Sequence, residues 1–152
     1  MLAQNVNITG DFSLDQPEVL VGLLLAHILA DFYFQPYAWV QERNERHALA
    51  MPLYLHTLIH GLLAAGVMLL LAQNVNGWTL GISAIVIAVS HFKIDVIKSY
   101  CAQSTRAFIA DQFAHILVLV AVFLYATNQW AAAIQLFEKL SVEHLAVILA
   151  YL

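Results

Sequence analysis

The stretch of sequence that decides the fold runs from Leu53 to Ala72 and reads LYLHTLIHGLLAAGVMLLLA. It contains no Asp, Glu, Lys or Arg. An α-helix of this length rises about 30 Å, which is the thickness of the hydrocarbon core of a bilayer. Pro52, immediately before it, suits the first turn of a helix. The stretch therefore predicts a transmembrane helix.

Three further stretches of the chain are also poor in charge, and they cover residues 19–35, 78–97 and 107–126. The 152-residue chain is 62% hydrophobic and 11% charged, with a mean hydropathy of +0.77, whereas soluble domains are about one quarter charged. The sequence predicts an all-α membrane protein with a four-helix transmembrane bundle in residues 19–127, in contact with membrane lipids. A net charge of −4 leaves no basic patch for nucleic acid.

The two ends of the chain differ from this core. Residues 1–18 form a polar tail, and residues 128–152 mix charged and apolar side chains. Within the second segment we expect an interfacial amphipathic helix. Its lipid-facing side chains would be Ile134, Leu136, Phe137 and Leu140. The closing run 142–152 is too short to span a membrane, so it either docks on the bundle or leads into a fifth helix.

Basic residues indicate how the bundle crosses the membrane. Arg43 and Arg46 lie between the first two predicted spans, Lys98 and Arg106 lie between the last two, and no Lys or Arg precedes the first span. Because basic residues favour the cytoplasmic side, we expect the N-terminus outside and these two connections in the cytoplasm. No cleavable signal-peptide pattern is present, so the first helix is expected to be retained.

The ionisable residues inside the predicted spans share one spacing. Each span carries a pair at i, i+4, which places both side chains on one face of the helix. The pairs are His27 with Asp31, His56 with His60, His91 with Asp95, and Asp111 with His115. Polar residues in a span are costly and by default functional. In the orientation above, all eight lie about 3–12 Å from the cytoplasmic face, and we expect them to form one site.

The order of these pairs suggests a duplication. A His-x3-Asp pair begins each half, and the same hexapeptide, LAQNVN, precedes each half at residues 2–7 and 71–76. Tandem helical repeats related by an axis along the membrane normal are a known membrane architecture. The sequence therefore predicts that the bundle is built from two similar helical hairpins.

Five histidines and three aspartates at one depth suit a divalent transition metal such as zinc, manganese or iron. The imidazoles supply neutral nitrogen ligands, and the carboxylates offset the charge of the ion. Eight candidate ligands exceed the four of a structural zinc site. We therefore predict one ion with surrounding His–Asp hydrogen bonds, or two ions. A purely structural layer of interhelical hydrogen bonds is the alternative.

Three polar residues lie close in sequence to the predicted ligands, namely Gln35, Lys98 and Gln112. We expect all three to contact a substrate, and we expect Lys98 to bind an anionic group of that substrate. A lysine at a helix end also serves as an orientation anchor, which is the competing interpretation. The remaining histidines, His47 and His144, have no i, i+4 partner and are expected at the solvent or the interface.

The strings around the four pairs resemble a known family. They read His27-Ile-Leu-Ala-Asp31-Phe32-Tyr-Phe-Gln35, His56-Thr-Leu-Ile-His60, His91-Phe-Lys-Ile-Asp95-Val-Ile-Lys98 and Asp111-Gln112-Phe-Ala-His115. Over residues 20–125 the chain resembles an uncharacterised family of small bacterial multi-pass membrane proteins. That resemblance implies a bacterial inner membrane location and brings no established activity. More loosely, the His/Asp pairs resemble those of predicted membrane-bound metal-dependent hydrolases of bacteria.

The leading functional prediction is an intramembrane metal-dependent hydrolase of a lipid or an amphipathic phosphoester. In it, whichever of Asp31, Asp95 and Asp111 is not bound to metal serves as the general base. The enzymatic alternative is an oxygen-activating di-iron protein, and haem ligation is a further option. The non-enzymatic alternative is a metal-binding or ion-transport subunit of a membrane complex. A homo-oligomer or a complex partner is compatible with each of these.

Overall fold

The computed structural model of the protein describes residues 15–138, and all regular structure in this range is helical. The elements are α1 (Pro17–Phe32), α2 (Tyr37–Arg46), a 3-10 turn (His47–Leu49), α3 (Met51–Leu71), α4 (Gly77–Ser99) and α5 (Thr105–Ala126). Residues 130–138 are also helical. By length and composition α3, α4 and α5 can each cross a membrane.

These three helices match the predicted spans 53–72, 78–97 and 107–126 to within two residues at either end. Local signals explain where they begin. Pro52 occupies the first turn of α3. The Asn76 side chain accepts a hydrogen bond from the Thr79 amide at 2.9 Å, and Ser104 Oγ accepts one from the Ala107 amide at 3.2 Å. Such N-caps satisfy amide groups that a helix leaves free at its start.

The first predicted span, residues 19–35, differs from the structure at its end. Helix α1 ends at Phe32, and its 16 residues rise about 24 Å, less than a bilayer core requires. Pro36 explains the break, because it disfavours helical backbone at Gln35 and has no amide hydrogen to donate. The chain then bends by 81° into a second helical segment, Tyr37–Leu49. The connection between the first two spans is therefore largely helical, and α1 counts as a span only together with this segment.

The bundle separates into an apolar half and a polar half. Helix α1 contacts α3 and α5, and α4 contacts the same two helices. The apolar half lies where α1 begins and α3 and α5 end. Its buried side chains are Val19, Leu23, Ala64, Met68, Ile87, Leu119, Val122, Phe123 and Leu124. The opposite end, where α1 and α4 end and α3 and α5 begin, is called the site end below.

Close backbone approach brings α3 and α4 together near the site end. A Cβ atom placed on Gly61 would lie 3.2 Å from Ala88 Cβ and 3.3 Å from the Ala84 carbonyl oxygen. Only glycine leaves room for that approach. On the outside of the bundle, large apolar side chains such as Leu70 and Ile85 are mostly exposed, as expected of surfaces that contact lipid.

Gln129 connects α1 and α5 at the end of the bundle that lies opposite to the site end. Its side-chain oxygen accepts a hydrogen bond from the Asp15 amide at 2.9 Å, and its side-chain nitrogen donates to the Asp15 carbonyl oxygen at 2.6 Å. These bonds tie the start of α1 to the end of α5. The predicted tail 1–18 is described only from Asp15 and the predicted segment 128–152 only to Glu138, so Leu140 and His144 lie outside the described residues. The relation of the two halves as repeated hairpins stays a prediction.

Candidate metal centre

The structure brings the eight predicted ligands together at the site end. They lie in the last turns of α1 and α4 and in the first turns of α3 and α5. Because each i, i+4 pair faces the axis of the bundle, the four pairs meet there. Seven are buried, and the Asp31 side chain is 12% exposed. The buried ones are His27, His56, His60, His91, Asp95, Asp111 and His115.

Imidazole nitrogens from two other helices converge on one oxygen of Asp31. Asp31 Oδ1 lies 3.0 Å from His60 Nε2, 3.3 Å from His56 Nε2 and 3.5 Å from His91 Nε2. His27 Nε2 lies 3.6 Å from the other oxygen. With metal–ligand bonds of 2.0–2.2 Å, neighbouring atoms of a tetrahedral zinc site lie about 3.3 Å apart. The four distances from Asp31 are close to this value, and the potential ligand atoms of His27, Asp31, His60 and His91 all lie within 4.8 Å of one another.

A second group shares two of these histidines. His56 Nε2 and His91 Nε2 lie 3.2 Å apart, and Asp95 Oδ2 lies 3.7 Å from the first and 3.5 Å from the second. Asp95 Oδ2 is buried and has no hydrogen-bond partner within residues 15–138. An unpartnered buried carboxylate oxygen is costly unless a cation or donor meets it.

A third group consists of Asp95, Asp111 and His115, whose potential ligand atoms all lie within 4.8 Å of one another. His115 Nδ1 donates to the Asp111 carbonyl oxygen at 2.9 Å, so its Nε2 carries the lone pair of the neutral ring. Neither that Nε2 nor Asp111 Oδ1 has a hydrogen-bond partner in the described part of the chain. A histidine held through one nitrogen with the other free is the usual arrangement of a metal ligand.

Two cations balance part of this negative charge. Arg43 NH1 on α2 donates to Asp95 Oδ1 at 2.6 Å, and Lys98 Nζ forms an ion pair with Asp111 Oδ2. With neutral imidazoles, the three carboxylates and two cations leave one net negative charge. A divalent ion would therefore meet a site of opposite charge, and the groups present fit a divalent metal.

Arg43 is the functional candidate that sequence reasoning missed. Its position between two predicted spans suggests an orientation anchor at the membrane surface, yet only 3% of it is exposed. The sequence gives no signal that separates these roles, because the fold of α2 over the bundle decides the burial. His47, expected at the solvent or interface, is half-buried, with Nδ1 2.9 Å from Ser99 Oγ and its ring stacked on Tyr100 at 3.9 Å.

A cavity of about 250 Å³ lies beside the cluster at the site end. All three predicted substrate residues, Gln35, Lys98 and Gln112, line it, together with Arg43. Asp31 is the one predicted ligand that also lines it, so this carboxylate lies between the cavity and the histidines. A separate void of about 10 Å³, roughly the space for one water molecule, adjoins the rings of His27, His60, His91 and His115.

Two of the predicted substrate residues hold positions that their sequence spacing did not predict. Gln35, the last residue of the predicted span 19–35, lies in the turn after α1 and outside the helix, because α1 ends at Phe32. Gln112 connects α5 to α1, since its Nε2 donates to Asp31 Oδ2 at 2.9 Å and its Oε1 lies 3.3 Å from His27 Nε2. Gln112 therefore orients the residues around it as well as lining the cavity.

Comparison with known proteins finds one family model, described as "Protein of unknown function (DUF3307)", that matches residues 19–147. The matched range contains all eight clustered residues. No curated protein and no solved structure shows a significant match to the chain. The comparisons thus agree with the resemblance to an uncharacterised family and bring no support for the looser resemblance to hydrolases.

Proposed function

The chain belongs to the DUF3307 family of proteins of unknown function, and we propose that it is a metal-dependent membrane hydrolase. The observation that carries the proposal is the convergence of three imidazole nitrogens on Asp31 Oδ1, which itself borders a cavity at the site end. A metal held at this point would be shielded from lipid by the helices and open to a ligand from one side.

The first metal position is assigned to His27, Asp31, His60 and His91, whose potential ligand atoms all lie within 4.8 Å of one another. Three nitrogens and one carboxylate oxygen suit zinc, and imidazole with carboxylate also suits iron and manganese. The group of Asp95, Asp111 and His115 offers a second position or the surrounding hydrogen bonds of the first. His56 Nε2 lies 3.3 Å from Asp31 Oδ1 and 3.7 Å from Asp95 Oδ2, so His56 would connect the first position to Asp95.

A bound dication would act as a Lewis acid and activate a water molecule for attack. Of the three aspartates predicted to be catalytic, Asp31 and Asp95 each approach two or more imidazole nitrogens of the cluster. Asp111 Oδ1 is 3.9 Å from His115 Nδ1 and has no hydrogen-bond partner among the described residues. In a site with one ion we therefore assign Asp111 as the general base, with Lys98 paired to its other oxygen.

The cavity supports an amphipathic phosphoester as the substrate. Its volume of about 250 Å³ is below the roughly 300–1,000 Å³ of pockets that enclose a drug-sized ligand, so it suits a polar head group. Phe32 and Phe108 both line the cavity, with their rings 6.2 Å apart, and they are 62% and 42% exposed. An apolar chain could leave the cavity past these rings toward lipid.

Ion transport is less well supported. A conduit needs polar groups through both halves of the bundle, and the half opposite to the site is filled by buried apolar side chains, including Leu23, Met68 and Phe123. The single buried polar residue that we find there along α4 is Ser83. A site reached from one side fits a hydrolase better than a carrier.

The test begins with elemental analysis of the full chain purified in detergent without metal-affinity chromatography. We expect one or two transition-metal ions per chain, and hydrolysis of a short-chain phospholipid that a chelator abolishes and added zinc or manganese restores. His91→Gln should remove metal and activity, whereas the control His47→Gln should keep both. A folded, metal-free protein would overturn the metal site. Metal without turnover of phosphoester substrates would overturn the hydrolase assignment.

A further inference from the structure

We infer that the cavity contains a binding site for a phosphate-type oxyanion, formed by Arg43 and Lys98, and that metal at the neighbouring cluster strengthens this site. The inference rests on the proposed metal site and adds to it a second ligand and a linkage between the two ligands.

The cavity carries cationic donors that suit a phosphate group. Arg43 and Lys98 both line it, and the guanidinium group matches the geometry of phosphate oxygens. Arg43 donates through NH1 to Asp95, but its Nε is buried and has no partner within the described range. A buried donor of this kind is expected to meet an acceptor, and Arg43 lines the adjoining cavity, from which an acceptor could approach its guanidinium group.

Neutral polar groups complete the lining. Gln35, Gln103 and Ser104 border the same cavity from the turn after α1 and from the connection between α4 and α5. Their amides and hydroxyl can donate to the oxygens of a phosphate that the cations do not reach. The lining therefore offers both charge and hydrogen bonds to an oxyanion.

Without metal, three features oppose an anion here. Asp31 presents the one carboxylate among the lining residues, and like charges repel. Arg43 and Lys98 are each held by a carboxylate of the cluster, Asp95 and Asp111 respectively. The cluster and its two cations together also carry one net negative charge. The lining thus offers donors that suit an anion, but the net negative charge of the metal-free site disfavours anion binding.

A divalent metal reverses this balance. The carboxylates would share their charge with the ion, which weakens their hold on Arg43 and Lys98, and the net charge would change from one negative to one positive. An oxyanion would then neutralise the site. Because linkage is reciprocal, the oxyanion must raise the affinity for metal by the same factor as metal raises the affinity for the oxyanion.

The experiment uses the full chain in detergent, metal-free or loaded with one equivalent of Zn²⁺ and cleared of excess. Inorganic phosphate is titrated by calorimetry into both forms, and Zn²⁺ affinity is measured by chelator competition with and without phosphate. We expect zinc to tighten phosphate binding about 10-fold or more, within the roughly 5–150-fold range of coupled sites. Phosphate should tighten zinc binding equally.

Two lysines of α4 provide a matched comparison. Lys98→Gln should abolish the zinc-dependent gain in phosphate affinity, whereas Lys93→Gln, at an exposed position of the same helix, should leave it unchanged. Arg43→Lys keeps the charge but loses the planar donors, so this variant should retain zinc binding and bind phosphate more weakly. Zinc stoichiometry and helical circular dichroism are recorded for each variant to show that it is folded.

The possible outcomes separate the two proposals. Equal phosphate affinity with and without zinc, or equal effects of the two lysine variants, would overturn the oxyanion site and leave the metal site standing. A chain that binds none of zinc, manganese and iron would overturn the proposed function itself. In competition arms, displacement of phosphate by short-chain phosphatidic acid but not phosphatidylcholine would support the site with a lipid head group as ligand. If neither lipid displaces phosphate, the result would support the oxyanion site with free phosphate as its ligand.

Discussion

Arg43 NH1 donates a 2.6 Å hydrogen bond to Asp95 Oδ1, and both side chains are about 4% exposed. The bond joins α2, which lies between the predicted spans, to a predicted metal ligand on α4. The bond engages Oδ1 of Asp95, and the other carboxylate oxygen, Oδ2, lies near His56 and His91. The segment after the bend at Pro36 is therefore part of the site and not only a connection.

Replacement of Arg43 should destabilise the fold. Arg43→Gln leaves the buried Asp95 carboxylate without its cation, and removal of one partner of a buried ion pair costs about 3–5 kcal/mol. The free energy of unfolding is measured by denaturant titration in detergent with far-UV circular dichroism. The control is Arg46→Gln, which removes an exposed pair with Glu42 and should cost under about 1 kcal/mol. Equal losses would show that Arg43 has no special role.

Replacement of Asp31 should weaken metal binding more than replacement of an exposed carboxylate does. Asp31→Asn keeps the shape of the side chain and removes the charge on which His56, His60 and His91 converge. Since loss of even an outer-shell partner costs about 10–100-fold in affinity, we expect at least the upper end of that range in a chelator-competition titration. Glu18→Gln, in the exposed first turn of α1, is the control. Wild-type affinity in Asp31→Asn would remove Asp31 from the ligand set.

The packing of α3 on α4 can be tested at two glycines of one helix. Gly61→Leu would force α3 away from Ala84 and Ala88, and overpacking of this kind costs about 1–3 kcal/mol. Because His60 precedes Gly61, the same change should lower metal content. Gly66→Leu meets open space and should keep both stability and metal. Thermal unfolding and elemental analysis provide the two measurements, and similar behaviour of the variants would contradict the close approach.

The orientation predicted from the basic residues can be tested with native Cys101. This cysteine is exposed in the connection after α4, at the site end, whereas Ser99 nearby is buried and bonded to His47. In sealed cells a membrane-impermeant maleimide should leave Cys101 unlabelled. It should label Gln73→Cys, in the exposed connection between α3 and α4, on a Cys101→Ser background. The opposite pattern would place the site end outside.

Much of the fold follows from local features of the sequence. Hydropathy is a property of a stretch, so α3, α4 and α5 appear within two residues of the predicted spans. The predicted end of the first span at Gln35, just before Pro36, lies three residues beyond the observed end of α1 at Phe32. The bend into the following helical segment was not predicted. Helix α2 was missed because it is short and polar, and its position depends on contacts such as Arg43 with Asp95 that are distant in sequence.

The sequence by itself determined which residues share a helical face, because 3.6 residues per turn aligns positions four apart whatever the surroundings. It thereby identified the eight clustered residues and their common depth. Only the tertiary structure decided which of them meet. Asp31 lies 3.0 Å from His60 of another helix but 3.6 Å from His27 of its own. Those distances, like the burial of Arg43, depend on how helices pack against one another, and spacing along a single chain does not encode that.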